Sequence, residues 1–224
     1  MSVLTLDDLE RFRDRPRLSL DGCDSLAVLS EMPQLEFLSI QHFPKVTSLE
    51  PLRSLSNLRY LSLSTTTTWD GTGRHLSVDS FEPLATLKNL EILQILAVIP
   101  KRGRLEPLSS IASLRRVSIG NTRFYQLEDF AALSIALPNA RSSLLPVCQM
   151  NFVSICRRCQ KHPLLCLEGA KPRTPSFACP LCDKNKINSH LERWNQSGGL
   201  PHFPHPNSMG PADLIKEFGN PYAK

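Results

Sequence analysis

Six of the seven cysteines lie in one 35-residue stretch, and four of them form two C-x2-C motifs separated by 19 residues. Two thiolates on one tight turn can chelate a metal ion, and a second such turn completes a tetrahedron. The spacing therefore predicts one structural Zn²⁺ site whose ligands are Cys156, Cys159, Cys179 and Cys182. A zinc ion held by four thiolates has no open position, so this site does not indicate catalysis.

Two short strands and a helix are expected to carry this site. The segments 163–167 and 176–178 are predicted strands, with a turn between them. Cys166 lies in the first of them and is expected to be a buried small side chain rather than a ligand. A helix is predicted over 184–194, with Asp183 able to cap its first turn.

The N-terminal two thirds of the chain repeats a six-residue pattern with apolar residues at positions 1, 4 and 6. Full copies begin at Leu35, Leu58, Leu90 and Leu114, a truncated copy is at Leu18–Leu20, and a sixth is expected over 140–145. Each full copy is followed by an apolar-Glu-Pro-Leu motif or a weaker variant, which predicts a short helix with proline in its first turn.

One such unit cannot bury its leucines alone, whereas stacked units share a continuous core. The fold class is therefore predicted to be α/β. It comprises a leucine-rich repeat solenoid, with a parallel concave sheet and short convex helices, followed by a small zinc-ribbon-like domain. The expected domains are an N-terminal cap (1–15), leucine-rich repeats (16–149), the zinc-ribbon-like module with its helix (150–196) and a Pro/Gly-rich tail (197–224).

Alternate side chains of a strand point to opposite faces, so each repeat places one residue of an outward column on the concave face. This column is expected to carry an exposed apolar patch between two arginines, Arg17 and Arg116. Trp69, in an insertion that lengthens one repeat interval to 32 residues, is expected to overhang it. The predicted partner-binding residues are Phe37, Tyr60, Trp69, Ile92 and Arg116. Two alternatives remain open: the insertion or the tail covers the patch, and Trp69 packs back onto the neighbouring repeat.

The repeat pattern resembles the short repeats of bacterial internalins and of the protein phosphatase 1 regulatory subunit class, over roughly residues 16–147. The segment 150–196 resembles the C-terminal module of a group of bacterial leucine-rich repeat proteins. The matching residues are Cys156, Cys159, Leu167-Glu168-Gly169, Cys179-Pro180-Leu181-Cys182-Asp183 and the helix with Lys186, His190 and Trp194. Such proteins often occur beside polymorphic toxin genes. The resemblance implies an immunity protein, or antitoxin, that occludes the active site of a cognate toxin.

The formal net charge of +5 comes from residues 148–224, which hold 10 basic and 5 acidic residues. This distribution supports an alternative function, nucleic-acid binding through a basic zinc ribbon, although a bound four-thiolate zinc would reduce the surplus. A protein partner is the preferred prediction. No motif for catalysis is present, so an enzyme is not expected.

The first 25 residues contain no apolar run, and no apolar segment is long enough for a membrane span. The expected location is therefore cytoplasmic. The sequence does not indicate the oligomeric state.

Overall fold

The computed structural model describes residues 12, 14–65, 75–102, 104–120, 124–142, 147–149, 155–167, 169–170 and 176–199. These residues form two compact units. The first contains the described residues up to 120 together with 139–141, and the second contains 124–138 and 142–199. Most of the expected N-terminal cap, the tail from residue 200 onward and residues 66–74 of the insertion lie outside the described residues.

A parallel sheet runs through the repeats. Its strands are β1 (Arg17–Leu20), β2 (Phe37–Gln41), β3 (Tyr60–Ser64), β5 (Ile92–Leu96) and β7 (Arg116–Ile119), and the two-residue strand β8 (Arg141–Ser142) follows β7. The pairing is in register, so Phe37 lies beside Tyr60, Tyr60 beside Ile92, and Ile92 beside Arg116. The column predicted from the repeat pattern is therefore confirmed.

The leucines of the pattern form the core of the first unit. Leu38, Leu61 and Leu93 lie side by side on the inner face of the sheet, and all three are fully buried. The residue that begins each pattern, such as Leu58, is also buried. Since every repeat contributes equivalent side chains to this continuous core, the unit is a leucine-rich repeat solenoid.

The short helices that alternate with the strands are 3₁₀ helices. They span Ala27–Glu31, Glu50–Ser54, Glu82–Thr86 and Glu106–Ser110. The last three carry proline in their first turn, where its missing N–H is not needed. Their hydrogen bonds join positions three apart, as from the Leu52 N–H to the Leu49 carbonyl at 2.9 Å, which is the pattern of a 3₁₀ helix. The predicted short helices are therefore confirmed, and they are 3₁₀ helices, which are wound more tightly than α-helices.

Polar side chains also connect neighbouring repeats. The side-chain amide of Asn57 donates to the Pro33 carbonyl at 3.0 Å, and that of Asn89 donates to the Ser56 carbonyl at 2.8 Å. These two asparagines occupy equivalent positions one repeat apart. Each satisfies a carbonyl that the turn of the preceding repeat leaves without a backbone partner, which fixes the stacking of successive repeats.

The flanks of the insertion are held by a second, two-stranded parallel sheet. Its strands are β4 (Leu76–Val78) and β6 (Val98–Pro100). The Thr65 N–H donates to the Leu96 carbonyl at 3.2 Å, and the Leu76 N–H donates to the Ala97 carbonyl at 2.8 Å. The two ends of the insertion are therefore attached to two consecutive residues of the next repeat. Trp69 lies outside the described residues.

The second unit combines a three-stranded antiparallel sheet with two helices. The sheet has the order β11 (Ser176–Ala178), β10 (Leu165–Leu167), β9 (Val147–Gln149), and the helices are α1 (Leu127–Ala136) and α2 (Lys184–Gln196). Strands β10 and β11 and helix α2 were predicted, whereas β9 was not. Cys166 is buried, as expected. None of the described helices is both long and apolar enough to cross a bilayer.

Contacts within the second unit connect α1 to the segment that carries the cysteines. Gly169 has a φ of +65°, and a Cβ placed there would lie 2.5 Å from the backbone nitrogen of Leu127. Glycine is required at this position by both the backbone conformation and the close approach. Arg193 of α2 pairs with Glu128 of α1 at 2.9 Å. Helix α1, which follows the last full repeat in sequence, is therefore packed within the unit that holds the cysteines.

Candidate metal centre and interaction surfaces

The four cysteines of the two C-x2-C motifs form one cluster. Their sulfur atoms all lie within 4.8 Å of one another. The Sγ atoms of Cys156 and Cys182 are 3.9 Å apart, and those of Cys159 and Cys179 are 3.7 Å apart. A tetrahedral zinc ion with Zn–S bonds near 2.3 Å requires sulfur–sulfur distances of about 3.8 Å. A disulfide would require about 2.0 Å, so the geometry fits a shared metal ion and not a pair of disulfides.

Each pair of cysteines is shaped by a tight turn, and we refer to these turns as knuckles. In the first knuckle, the Cys156 N–H donates to the His162 carbonyl at 2.9 Å, and the Gln160 N–H donates to the Cys156 carbonyl at 2.8 Å. Gln160 adopts a positive φ of 53°, which turns the chain back on itself. In the second knuckle, the Cys182 N–H points at the Cys179 sulfur, 3.4 Å away.

Asp183 connects the two knuckles. Its Oδ2 accepts a hydrogen bond from the Cys179 N–H at 2.8 Å, and its Oδ1 pairs with Arg158 of the first knuckle. The residue is at the N-cap position of α2, but its side chain makes no capping hydrogen bond. The expectation that Asp183 caps the helix is therefore wrong for the side chain, because the carboxylate binds back to the knuckles.

Hydrogen bonds and burial shift the thiol pKa values in opposite directions. The Lys161 N–H is the main factor that lowers the pKa of Cys159 to about 6, and the Cys159 N–H lowers the pKa of Cys156. Burial, followed by the neighbouring thiols, raises the pKa of Cys182 to about 12. The first knuckle thus favours thiolates, the form that binds metal. Deprotonation of all four thiols requires a cation that offsets burial and mutual repulsion, which a divalent ion supplies.

The outward column differs from the sequence-based expectation. Phe37, Tyr60 and Ile92 are only 4%, 3% and 1% exposed, so the expectation of an exposed apolar patch is wrong. The rings of Phe37 and Tyr60 stack in parallel with their centroids 4.2 Å apart, and the Tyr60 hydroxyl donates to Gln94 Oε1 at 3.0 Å. Strand alternation fixes the face on which a side chain lies, but it does not reveal what else packs on that face. Arg116, at the end of the column, is half-buried.

A polar groove lies along the N-terminal ends of the strands. It has a volume of about 500 Å³, and its lining includes a row of charges of alternating sign, Glu36, Arg59, Glu91 and Arg115. Glu91 pairs with Arg59 at 2.8 Å and with Arg115 at 3.5 Å. The charges compensate one another, so the groove selects no particular sign of ligand charge.

Sequence reasoning missed two exposed apolar side chains beside the cysteines, Ile155 and Leu181, while Phe177 is exposed as the sequence indicated. A usable signal was present for Leu181, because the two residues between the cysteines of a knuckle lie at the tip of its turn and cannot be buried beneath it. Ile155 forms an isolated antiparallel bridge with Pro163 at the base of the first knuckle.

The chain resembles leucine-rich repeat structures. These include internalin C2 of Listeria monocytogenes (19% identity, 63% of this chain and 56% of that one, TM-score 0.43) and a leucine-rich repeat protein of Leptospira interrogans (12%, 63% and 33%, TM-score 0.40). A second Listeria internalin shares 12% identity over 62% of this chain and 50% of its own length, with a TM-score of 0.31. This chain thus spans about half or less of each structure. No protein-family model and no curated protein matches the chain.

Proposed function

We propose that this chain is a protein-binding module in which the repeat array presents the binding surface and a structural zinc ion holds the second unit together. The observation that carries the binding role is the in-register parallel sheet. It arranges outward side chains in straight columns at a fixed spacing, as in repeat proteins that bind extended partner surfaces.

The binding surface we propose centres on the outward face of the sheet, around Arg116. Ser62, Gln94 and Ser118 form a neighbouring column of small or polar side chains, all half-buried. Arginine supplies directional hydrogen bonds and is enriched at interface hot spots. Phe37, Tyr60 and Ile92 lie on the same face but are buried, so in this proposal they hold the neighbouring polar side chains in position and do not contact the partner. Trp69 remains a proposed contact that lies outside the described residues.

Zinc is proposed from the chemistry of the four-thiolate cluster. Thiolate ligands and tetrahedral sulfur–sulfur spacing favour Zn²⁺ among the common divalent ions. Purified full-length protein should contain one equivalent of zinc by elemental analysis, and Cys179→Ser should contain far less. Cys23→Ser is the matched control, since Cys23 is buried in the first unit and is not one of the four clustered cysteines, so this variant should leave the zinc content unchanged. Zinc below half an equivalent in the wild-type protein would contradict the assignment.

The finer role we propose is that of a cytoplasmic immunity protein whose partner is a toxin. This role is supported by the resemblance of the repeats and the cysteine module to bacterial leucine-rich repeat proteins whose genes often occur beside polymorphic toxin genes. Binding over the toxin's active site would exclude substrate, and an interface of the usual size, roughly 1,600 Å² in total, would suffice.

The test uses the product of the adjacent gene as the candidate toxin, co-expressed with this chain. Wild-type protein should restore growth and form a complex, whereas Arg116→Glu should weaken the complex at least tenfold with an unchanged unfolding midpoint. Arg53→Glu is the matched control, because Arg53 lies in a 3₁₀ helix and not in the sheet. Equal loss of affinity in both variants would refute the placement on the outward face, and an adjacent gene product that is harmless to cells would refute the immunity role.

A further inference from the structure

Exposed large apolar side chains in the described part of the chain occur mostly within two residues of the clustered cysteines in the sequence. Among the described residues, four large apolar side chains are well exposed, and three of them are Ile155, Phe177 and Leu181. Leu181 is 60% exposed. Isolated exposed leucines are ordinary, but a group of large apolar side chains on a small unit indicates an interaction surface.

The thiol cluster brings the backbone at two of these residues into one region. Ile155 immediately precedes Cys156, and Leu181 immediately precedes Cys182, and the sulfur atoms of these two cysteines are 3.9 Å apart. The bridge between Ile155 and Pro163 and the hydrogen bonds of the second knuckle fix the backbone on both sides. Two aliphatic side chains are thus held on a rigid support, so little conformational entropy would be lost when a partner binds.

Exposed cations lie within seven residues of these apolar side chains in the sequence. Arg157, Lys161 and Lys184 are exposed, and none of them forms an ion pair with a described residue. Arg158, in contrast, is already paired with Asp183, and Lys186 donates to the Phe177 carbonyl at 2.8 Å. The region therefore offers apolar anchors together with uncompensated positive charge.

We propose that this surface, which we call the knuckle patch, docks a protein segment that carries apolar anchor residues flanked by aspartate or glutamate. The patch consists of Ile155, Arg157, Lys161, Phe177, Leu181 and Lys184. The patch belongs to the second unit, whereas the outward face of the repeats belongs to the first, and the proposal rests on the proposed function as a protein-binding module.

The side-chain types favour a protein over a nucleic acid. Single-stranded nucleic acids are held by aromatic side chains on which the bases stack. Two of the three exposed apolar residues in the patch, Ile155 and Leu181, are aliphatic and provide no such platform. Aliphatic anchors bordered by charges are instead the pattern of a small protein interface with an apolar centre and a polar rim.

The test is a selection of random 12-residue peptides displayed on phage against the zinc-loaded full-length protein. Enriched peptides should combine leucine, isoleucine or aromatic residues with two or more acidic residues. Synthetic copies should bind the wild-type protein and lose at least tenfold in affinity with Leu181→Ser and with Arg157→Glu. Both replaced side chains are exposed, so each variant should keep one equivalent of zinc and the wild-type unfolding midpoint.

Ile135→Ser is the matched control, because Ile135 is also exposed but lies on α1. Affinity should change less than twofold in this variant. Failure to enrich acidic-apolar peptides, or equal binding by wild-type and Leu181→Ser proteins, would overturn the proposal. If the binding of the peptides is lost only with Arg116→Glu, the binding site is on the repeats. That outcome supports the proposed function and refutes the knuckle patch as the docking surface. A further outcome would assign the patch to nucleic acid instead. In that outcome no peptide is enriched, a 20-nucleotide single-stranded DNA binds the wild-type protein, and this binding is lost with Arg157→Glu.

Discussion

The two units of this protein are stabilised in different ways. The repeat array distributes its stability over equivalent leucines, since Leu38, Leu61 and Leu93 are all fully buried at matching positions. The second unit instead depends on one cluster of four thiols that connects two knuckles. A unit built from many equivalent contacts loses a small part of its stability when one contact is removed. A unit built around one metal ion loses most of its stability in one step when the ion is removed.

Removal of the proposed zinc ion should produce the largest difference between the units. Apparent zinc-binding free energies of roughly 10 kcal/mol or more are typical of small structural sites, so chelation should unfold the second unit. Hydrogen exchange should then show loss of protection in α2 and also in α1, while the strands β2, β3 and β5 stay protected. Protection of α1 that survives chelation would mean that this helix is stabilised without the cysteine module.

A truncation in the leucine core should be costly but confined to the repeat array. Leu61→Ala removes a fully buried side chain and should lower the free energy of unfolding by about 3–4 kcal/mol. Zinc content should remain at one equivalent, because the cysteines belong to the other unit. The measurement is denaturant unfolding together with elemental analysis, and loss of zinc in this variant would show that the units are not independent.

A glycine substitution tests the contact between α1 and the cysteine module. Gly169→Ala forces alanine into a positive φ and places its Cβ 2.5 Å from a backbone atom, so we expect a loss of about 3 kcal/mol in the second unit. Gly198→Ala is the matched control. Gly198 has a similar φ of +75°, but its Cβ would meet only the end of the Ile135 side chain at 3.1 Å, and about 1 kcal/mol is expected. Equal effects on the unfolding of the second unit would show that the close approach contributes nothing.

The smallest expected effect comes from one hydroxyl group on the outward face. Tyr60→Phe keeps the stack on Phe37 but removes the hydrogen bond to Gln94, and we expect a loss of about 1 kcal/mol. Tyr60→Ala, which also removes the buried ring, should cost about 3 kcal/mol. Thermal unfolding of both variants measures the difference. A Tyr60→Ala variant as stable as wild type would contradict the burial of this side chain.

The repeat array could be predicted in some detail because its signals are periodic. A pattern at positions 1, 4 and 6 fixes which residues share a strand face, and equal positions in successive repeats must then pair. The column from Phe37 through Tyr60 and Ile92 to Arg116 followed from this alone. The thiol cluster was equally predictable, because ligand spacing encodes chelate geometry.

What could not be predicted depends on contacts between segments that have no common period. The burial of Tyr60 depends on what covers its face, and strand alternation carries no information about that. The role of Asp183 was missed because a short carboxylate before a helix usually caps it, whereas here it binds the Cys179 N–H and Arg158. Strand β9 is only three residues long, and its pairing partner β10 lies 16 or more residues later in the chain.

The attachment of the insertion has a consequence for how this chain can vary. Thr65 and Leu76 are bonded to the consecutive carbonyls of Leu96 and Ala97, so the chain leaves and re-enters the solenoid at two neighbouring fixed points. The entropy of closing a loop between fixed ends depends only weakly on its length, at about 0.6 kcal/mol for each doubling. The intervening segment can therefore be lengthened, shortened or exchanged for another sequence without a change of repeat register, which makes it a natural position for grafting a foreign peptide epitope.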